Sequence, residues 1–166
     1  GLLRNTIVVI TADHGEEFGE HGLLSHGSSL YMPALHVPLV IVAPGRVPAG
    51  QRVKQLVSMQ NLAATLLDFT GGKPLPGRSL RSAWQPGVTS STPVFAEVRY
   101  APRLPGWFPA SKGDMSTVIV PEHQLIREGA NAEELFDLAL DPAGGKRDTS
   151  SAIAKSLQDL PFPREP

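Results

Sequence analysis

The sequence predicts an α/β chain in two parts, and three observations carry that reading. Two unbroken apolar runs rich in β-branched residues, 7–10 (IVVI) and 39–43 (LVIVA), have the composition of strands covered on both faces, as in a parallel or mixed sheet. Leu62, Leu66 and Phe69 recur at helical spacing, with Ala63 and Leu67 widening the stripe, so a helix is expected on one face of that sheet. Four short segments, 94–100, 116–120, 124–127 and 135–138, are separated by Pro or Gly and read as a small antiparallel sheet.

The first run ends in Thr11-Ala12-Asp13-His14-Gly15. Taken alone, Asp-His-Gly is a turn sequence. Its place gives it chemistry: open α/β sheets carry their sites just beyond the carboxyl ends of strands, and a second segment rich in His and Gly, with His21 and His26, follows at once. Asp13 and His14 offer one hard oxygen and one borderline nitrogen, a usable pair of metal ligands. Two ligands do not complete a site, so other segments have to supply the remainder. Glu16, Glu17 and Glu20 read as solvated loop carboxylates, and His21 as a loop-packing residue.

Further along, Pro44-Gly45 ends the second run. Ser58 is placed to cap the helix and Gly71-Gly72 to stop it. Residues 86–93 have a linker composition, which divides the chain into 1–86, the α/β part, and 87–166, the small antiparallel subdomain. Between 101 and 113, three prolines with Trp107 and Phe108 make an irregular loop, which either lines a substrate cleft or folds onto its own Trp. A closing helix is expected over 152–160, stopped by Pro161. The acids of 134–138 and Asp141-Pro142 are assigned to an edge strand and a turn rather than to acid/base chemistry.

Composition narrows the function classes. The 166 residues suffice for a sizeable core, with one domain the default. A net charge of −1 gives no general attraction to nucleic acid or to an anionic membrane, and no stretch has the length and apolarity of a membrane span. Zero cysteines exclude disulfides and thiolate metal sites while leaving the compartment open. No Gly-rich phosphate fingerprint follows a strand, and no Gly-x-Ser-x-Gly elbow occurs.

The ordered set TADHGEEFGEHGLLSHGSSLY, HVPLVIVAPGRV, VSMQNLAATLLDFTG, GRSL and EELFDLALDP resembles the sulfatase family of the alkaline phosphatase superfamily. The resemblance implies part of an alkaline-phosphatase-like sheet with flanking helices, plus a small carboxyl-terminal antiparallel sheet. It implies metal-dependent hydrolysis of sulfate esters, or of phosphodiester or phosphonate esters, or phosphoethanolamine transfer. Asp13 and His14 would hold the divalent cation, Ca2+ as in most sulfatases, or Mn2+ or Zn2+ as in phosphonate and phosphodiester relatives. His26 stands where the family has a Lys or His on the sulfate or phosphate oxygens, which makes it the substrate-binding and catalytic residue. A protonated imidazole there donates a charge-assisted hydrogen bond to charge developing in the transition state. Met32-Pro33 and His36 depart from the family pattern, and His36 is read as a structural or surface residue. The family's paired-Asp motif and its formylglycine nucleophile, made from Cys/Ser-x-Pro-x-Arg, have no counterpart in this sequence. The expectation is therefore a carboxyl-terminal piece of a longer enzyme, inactive without its amino-terminal half. A truncated or structural module without catalysis is the alternative.

Overall fold

The structure, a computed structural model, describes residues 1–88, 92–129 and 132–160. Part of the expected linker and the expected helix stop at Pro161 lie outside the described residues. In chain order the strands are β1 (Val8–Thr11), β2 (Glu17–Phe18), β3 (Leu24–Ser25), β4 (Leu39–Val42), β5 (Val94–Val98), β6 (Met115–Val120), β7 (His123–Glu128), β8 (Ala132–Asp137) and β9 (Arg147–Asp148). The helices are α1 (Met32–Leu35), α2 (Leu62–Thr70) and α3 (Ser151–Gln158). The chain divides into two compact units. The first holds Gly1–Thr11 and the described residues of Pro38–Thr92; the second holds Ala12–Val37 and the described residues from Pro93 onward.

In the first unit the two apolar runs pair directly with each other, and the pairing is antiparallel: Val8 faces Val42 and Ile10 faces Val40. Of the two sheet types the runs allow, parallel and mixed, an antiparallel pair belongs to the mixed one. An unbroken apolar run reports how many faces are covered, not which way the adjacent strand travels. Among the described residues Ile10 is 59% exposed and Val40 and Val42 each 48%. Helix α2 is bounded as its sequence implies. Ser58 accepts from the Gln60 amide ahead of it, and Gly71 ends it in the left-handed conformation that glycine adopts without penalty.

The GRSL element is structural in this unit. Thr65, fully buried in α2, accepts from the Leu80 amide at 2.8 Å. Asp68 receives Ser79 Oγ at 2.7 Å and Arg81 Nε at 2.8 Å, and these two donors hold its carboxyl below the ordinary range. Arg78 gives its amide to Asn61 Oδ1.

The second unit is organised by a five-stranded antiparallel meander, β5-β6-β7-β8-β9. Four of its strands fall where short segments separated by Pro or Gly predict them; β9, two residues long, carries too little pattern to be seen. Side chains alternate across the sheet with period two. Met115, Ile126 and Phe136 face a core that includes Leu23, Leu30 and Tyr31. Val118, Leu125 and Leu135 face the opposite way, onto Leu157 of α3. One face of the meander therefore supports the segment that follows Asp13-His14, and the other supports the closing helix. In the 101–113 loop, Phe108 packs against the first of these cores, whereas Trp107 is 70% exposed.

The support beneath that segment is partly polar. Gln124 is fully buried and donates to the Leu30 carbonyl at 2.7 Å, 94 residues away. Ala110 gives its amide to the Ser28 carbonyl at 3.0 Å, and Tyr31 gives its hydroxyl to Glu134 Oε2 at 3.0 Å. His21 packs as expected: its ring stacks on Tyr31 with centroids 3.7 Å apart and meets Phe136 edge-on.

Burial pushes the His21 imidazole below its ordinary value of 6.5, while Glu134 pulls the other way. The unfolded chain then takes up the proton first. The contribution of His21 to stability is complete above 6.5 and is lost as pH falls below it. Melting temperature is therefore expected to drop between about pH 7 and pH 5, and His21→Phe, which keeps a ring against Tyr31, is expected to flatten part of that slope. An identical acid slope in wild type and variant would show that His21 contributes none of it.

Candidate metal and anion site

The site residues sit in a compact stretch of the second unit that begins just beyond β1. Gly15 explains the shape of its first turn. The Gly15 amide donates to the Ala34 carbonyl at 2.8 Å, and a Cβ built on Gly15 would lie 2.0 Å from the Pro33 carbonyl oxygen. Only a residue without a side chain lets the backbone lie this close to α1.

Asp13 and His14, separated from α1 by that glycine, present their side chains together. Asp13 Oδ2 lies 3.7 Å from His14 Nε2, with the Asp13 side chain 89% exposed. His14 Nδ1 is 2.8 Å from the Gly15 carbonyl oxygen. A carbonyl only accepts, so Nδ1 carries a proton, and in the neutral imidazole Nε2 keeps its lone pair, on the side where Asp13 stands. This is the arrangement in which metal-ligating histidines are held by an outer hydrogen bond. The donor set of one carboxylate oxygen and one imidazole nitrogen fits a divalent cation.

His26 is brought to the same place by a hairpin. β2 and β3 pair with Glu17 opposite Ser25 and Phe18 opposite Leu24; one residue further, the register sets Glu16 opposite His26. Their side chains meet across the ribbon, His26 Nδ1 to Glu16 Oε2 at 3.1 Å. The His26 ring also stacks on His14, centroids 3.6 Å apart and planes 19° from parallel. The three residues singled out from sequence are thus in one neighbourhood. His14, Glu16 and His26 each offer a ligand atom within 4.8 Å of the others.

Two of the carboxylates read as solvated are not. Glu16 is the partner of His26, a role the hairpin register could have revealed. Glu17 is 1% exposed and accepts from Ser29 Oγ at 2.8 Å. Burial pushes its carboxyl above the ordinary range, against the pull of that Ser29 hydrogen bond. Only Glu20 is an exposed loop acid, taking the Phe18 amide at 2.6 Å. His36 is exposed, as expected.

A second grouping, His123 with Asp137 and Asp148, also brings ligand atoms within 4.8 Å. Its acids have structural work: Asp137 Oδ1 accepts the Ala139 and Leu140 amides, and Asp148 Oδ1 accepts that of Ser150. Asp141 likewise takes the Gly145 amide, consistent with a turn rather than acid/base chemistry.

Comparison with known proteins bears on the stretch as a whole. The sulfatase family model matches residues 1–72. Arylsulfatase K of Bos taurus is 35% identical over 156 residues, covering 86% of this chain and 27% of the relative. Among solved structures, a protein in complex with its substrate D-glucosamine-2-N,6-O-disulfate superposes with a TM-score of 0.77 at 24% identity, over 96% of this chain and 33% of that one. The phosphonate monoester hydrolase of Silicibacter pomeroyi superposes with a TM-score of 0.69 at 28% identity, over 92% and 32% respectively. The chain spans about a quarter of the length of the curated relatives it matches.

Proposed function

This chain belongs to the sulfatase family, and on that premise we propose that its whole protein hydrolyses sulfate esters, with Asp13 and His14 as two of its metal ligands and His26 as a contact to the anionic group being cleaved. The observation that supports this reading most directly is the shared neighbourhood of the three side chains: Asp13 Oδ2 beside His14 Nε2, and His26 stacked on His14.

The family implies a divalent metal; Ca2+ is the ion we propose, and formylglycine the attacking group, supplied by sequence outside these 166 residues. A cation held here supplies Lewis-acid stabilisation of an ester oxygen and of the nucleophile. The chain's own residues do the rest of what is proposed for this part. Asp13 gives a carboxylate oxygen in an open, solvated position. His14 is locked in one tautomer by the Gly15 carbonyl, so its lone pair needs no reorientation. Glu16 fixes His26 through Nδ1, and the imidazolium form, with a proton on both ring nitrogens, donates from Nε2 to an oxygen of the substrate's anionic group. That donor strengthens as negative charge grows on the oxygen in the transition state.

His26→Ala in the whole enzyme is expected to lower kcat by about 10²–10³-fold while bound metal is unchanged, measured by turnover of an aryl sulfate and by elemental analysis. A kcat within about threefold of wild type would remove His26 from the chemistry. A second reading, phosphonate monoester hydrolysis, is favoured by the likeness to the Silicibacter pomeroyi enzyme and by the imidazole ligand, which suits Mn2+ or Zn2+. Parallel assays on an aryl sulfate and an aryl phosphonate monoester separate the two.

A further inference from the structure

The turn that carries His26 is conformationally expensive. Ser25, immediately before it, has φ of 88°, and Gly27, immediately after, has φ of 77°. A non-glycine residue in this region costs about 1–3 kcal/mol and persists only where surrounding structure holds it. The structure holds it from below, through one residue. Glu17 pairs by its backbone with Ser25 on one side of His26, and its side chain receives Ser29 Oγ on the other. Ser29 in turn takes the Tyr31 amide at 3.4 Å. The bonds from residue 17 therefore bracket the three-residue span, His26 to Ser28, that presents the imidazole.

A carboxyl is a poor choice for stability alone. Glu17 Oε2 is buried without a hydrogen-bond partner among the described residues, as is Ser28 Oγ, and a buried polar group left unpaired costs about 1–3 kcal/mol. An apolar side chain would fill the same volume without that penalty. What an apolar residue cannot do is accept from Ser29.

We propose that Glu17 is a positioning residue for His26: through Ser25 and Ser29 it clamps the strained turn and fixes the imidazole over His14. Glu16 orients the ring and Glu17 the backbone beneath it, so adjacent carboxylates, one just before β2 and one within it, serve one histidine. The catalytic part of this proposal rests on the assignment of His26 given above; the clamping part does not.

The test uses Glu17→Leu, which removes the acceptor, and Glu17→Gln, which keeps it. In Glu17→Leu, amide hydrogen exchange at Gly27, Ser28 and Ser29 is expected to rise by about tenfold or more, and the ring-current shifts of the stacked His14 and His26 protons to collapse. Glu17→Gln is expected to restore both. In the whole enzyme kcat should fall by about 10–100-fold in Glu17→Leu with KM little changed, and recover in Glu17→Gln. Ser29→Ala removes the same bond from the other side, and its exchange pattern should match that of Glu17→Leu; it carries the test should the leucine variant fail to fold. Unchanged exchange and unchanged ring shifts in Glu17→Leu or Ser29→Ala overturn the clamp. A released turn combined with unaltered kcat, in a protein whose His26→Ala variant is also fully active, overturns the role of His26 and leaves the clamp standing.

Discussion

Gly15→Ala is expected to destabilise the protein by about 3 kcal/mol, at the upper end for overpacking. The added Cβ would stand 2.0 Å from the Pro33 carbonyl oxygen and 3.2 Å from the Ala34 carbonyl carbon. Both are backbone atoms, so no side-chain rotation relieves the clash. Either the turn lifts away and the Gly15–Ala34 hydrogen bond breaks, or α1 shifts. The first outcome swings Asp13 and His14 out of register and removes the carbonyl that fixes the His14 tautomer. In a chain of this length the loss corresponds to roughly 6–12 °C in melting temperature. A melting temperature within about a degree of wild type would show that this close approach is not a constraint of the folded state.

Asp13→Ala and His14→Ala should do the opposite, leaving stability nearly intact while removing function. The Asp13 side chain is 89% exposed and that of His14 41%, and truncating surface groups of this kind changes stability by about 0.5 kcal/mol or less. In the whole enzyme each is expected to reduce bound metal and to lower kcat by about 10²-fold or more, since each removes a ligand rather than a supporting contact. Elemental analysis of the two purified variants is decisive. Metal content equal to wild type in both would strip these residues of their proposed role. The contrast with Gly15→Ala is informative in itself, because neighbouring positions then separate the turn's geometry from its chemistry.

The parts of the fold legible in the sequence were those governed by local pattern. Helix α2 and the turn that leads into it were bracketed by Ser58 and Gly71, and four meander strands by the Pro and Gly residues that separate them. The neighbourhood of Asp13, His14 and His26 was legible through resemblance, and the structure gives it a geometry. What could not be read depends on partners distant in sequence. The antiparallel pairing of β1 with β4 is invisible in either run, since a Val-Ile sequence looks the same whichever way its neighbour points. Glu17 reads as a surface acid until Ser29 is seen to face it. Gln124 reads as an ordinary polar residue of a strand, and only the Leu30 carbonyl, far earlier in the chain, explains why it is buried.

The Gln124–Leu30 hydrogen bond sets an order of events during synthesis. The segment holding His26 is translated before the floor on which it rests: Ile126, Phe136 and the Gln124 amide leave the ribosome roughly a hundred residues later. Until then the histidine-bearing loop has nothing apolar to settle on and stays open to proteases and to mispairing. A stop codon between His26 and β7 would leave Asp13, His14 and His26 in the product without the strands that support their segment.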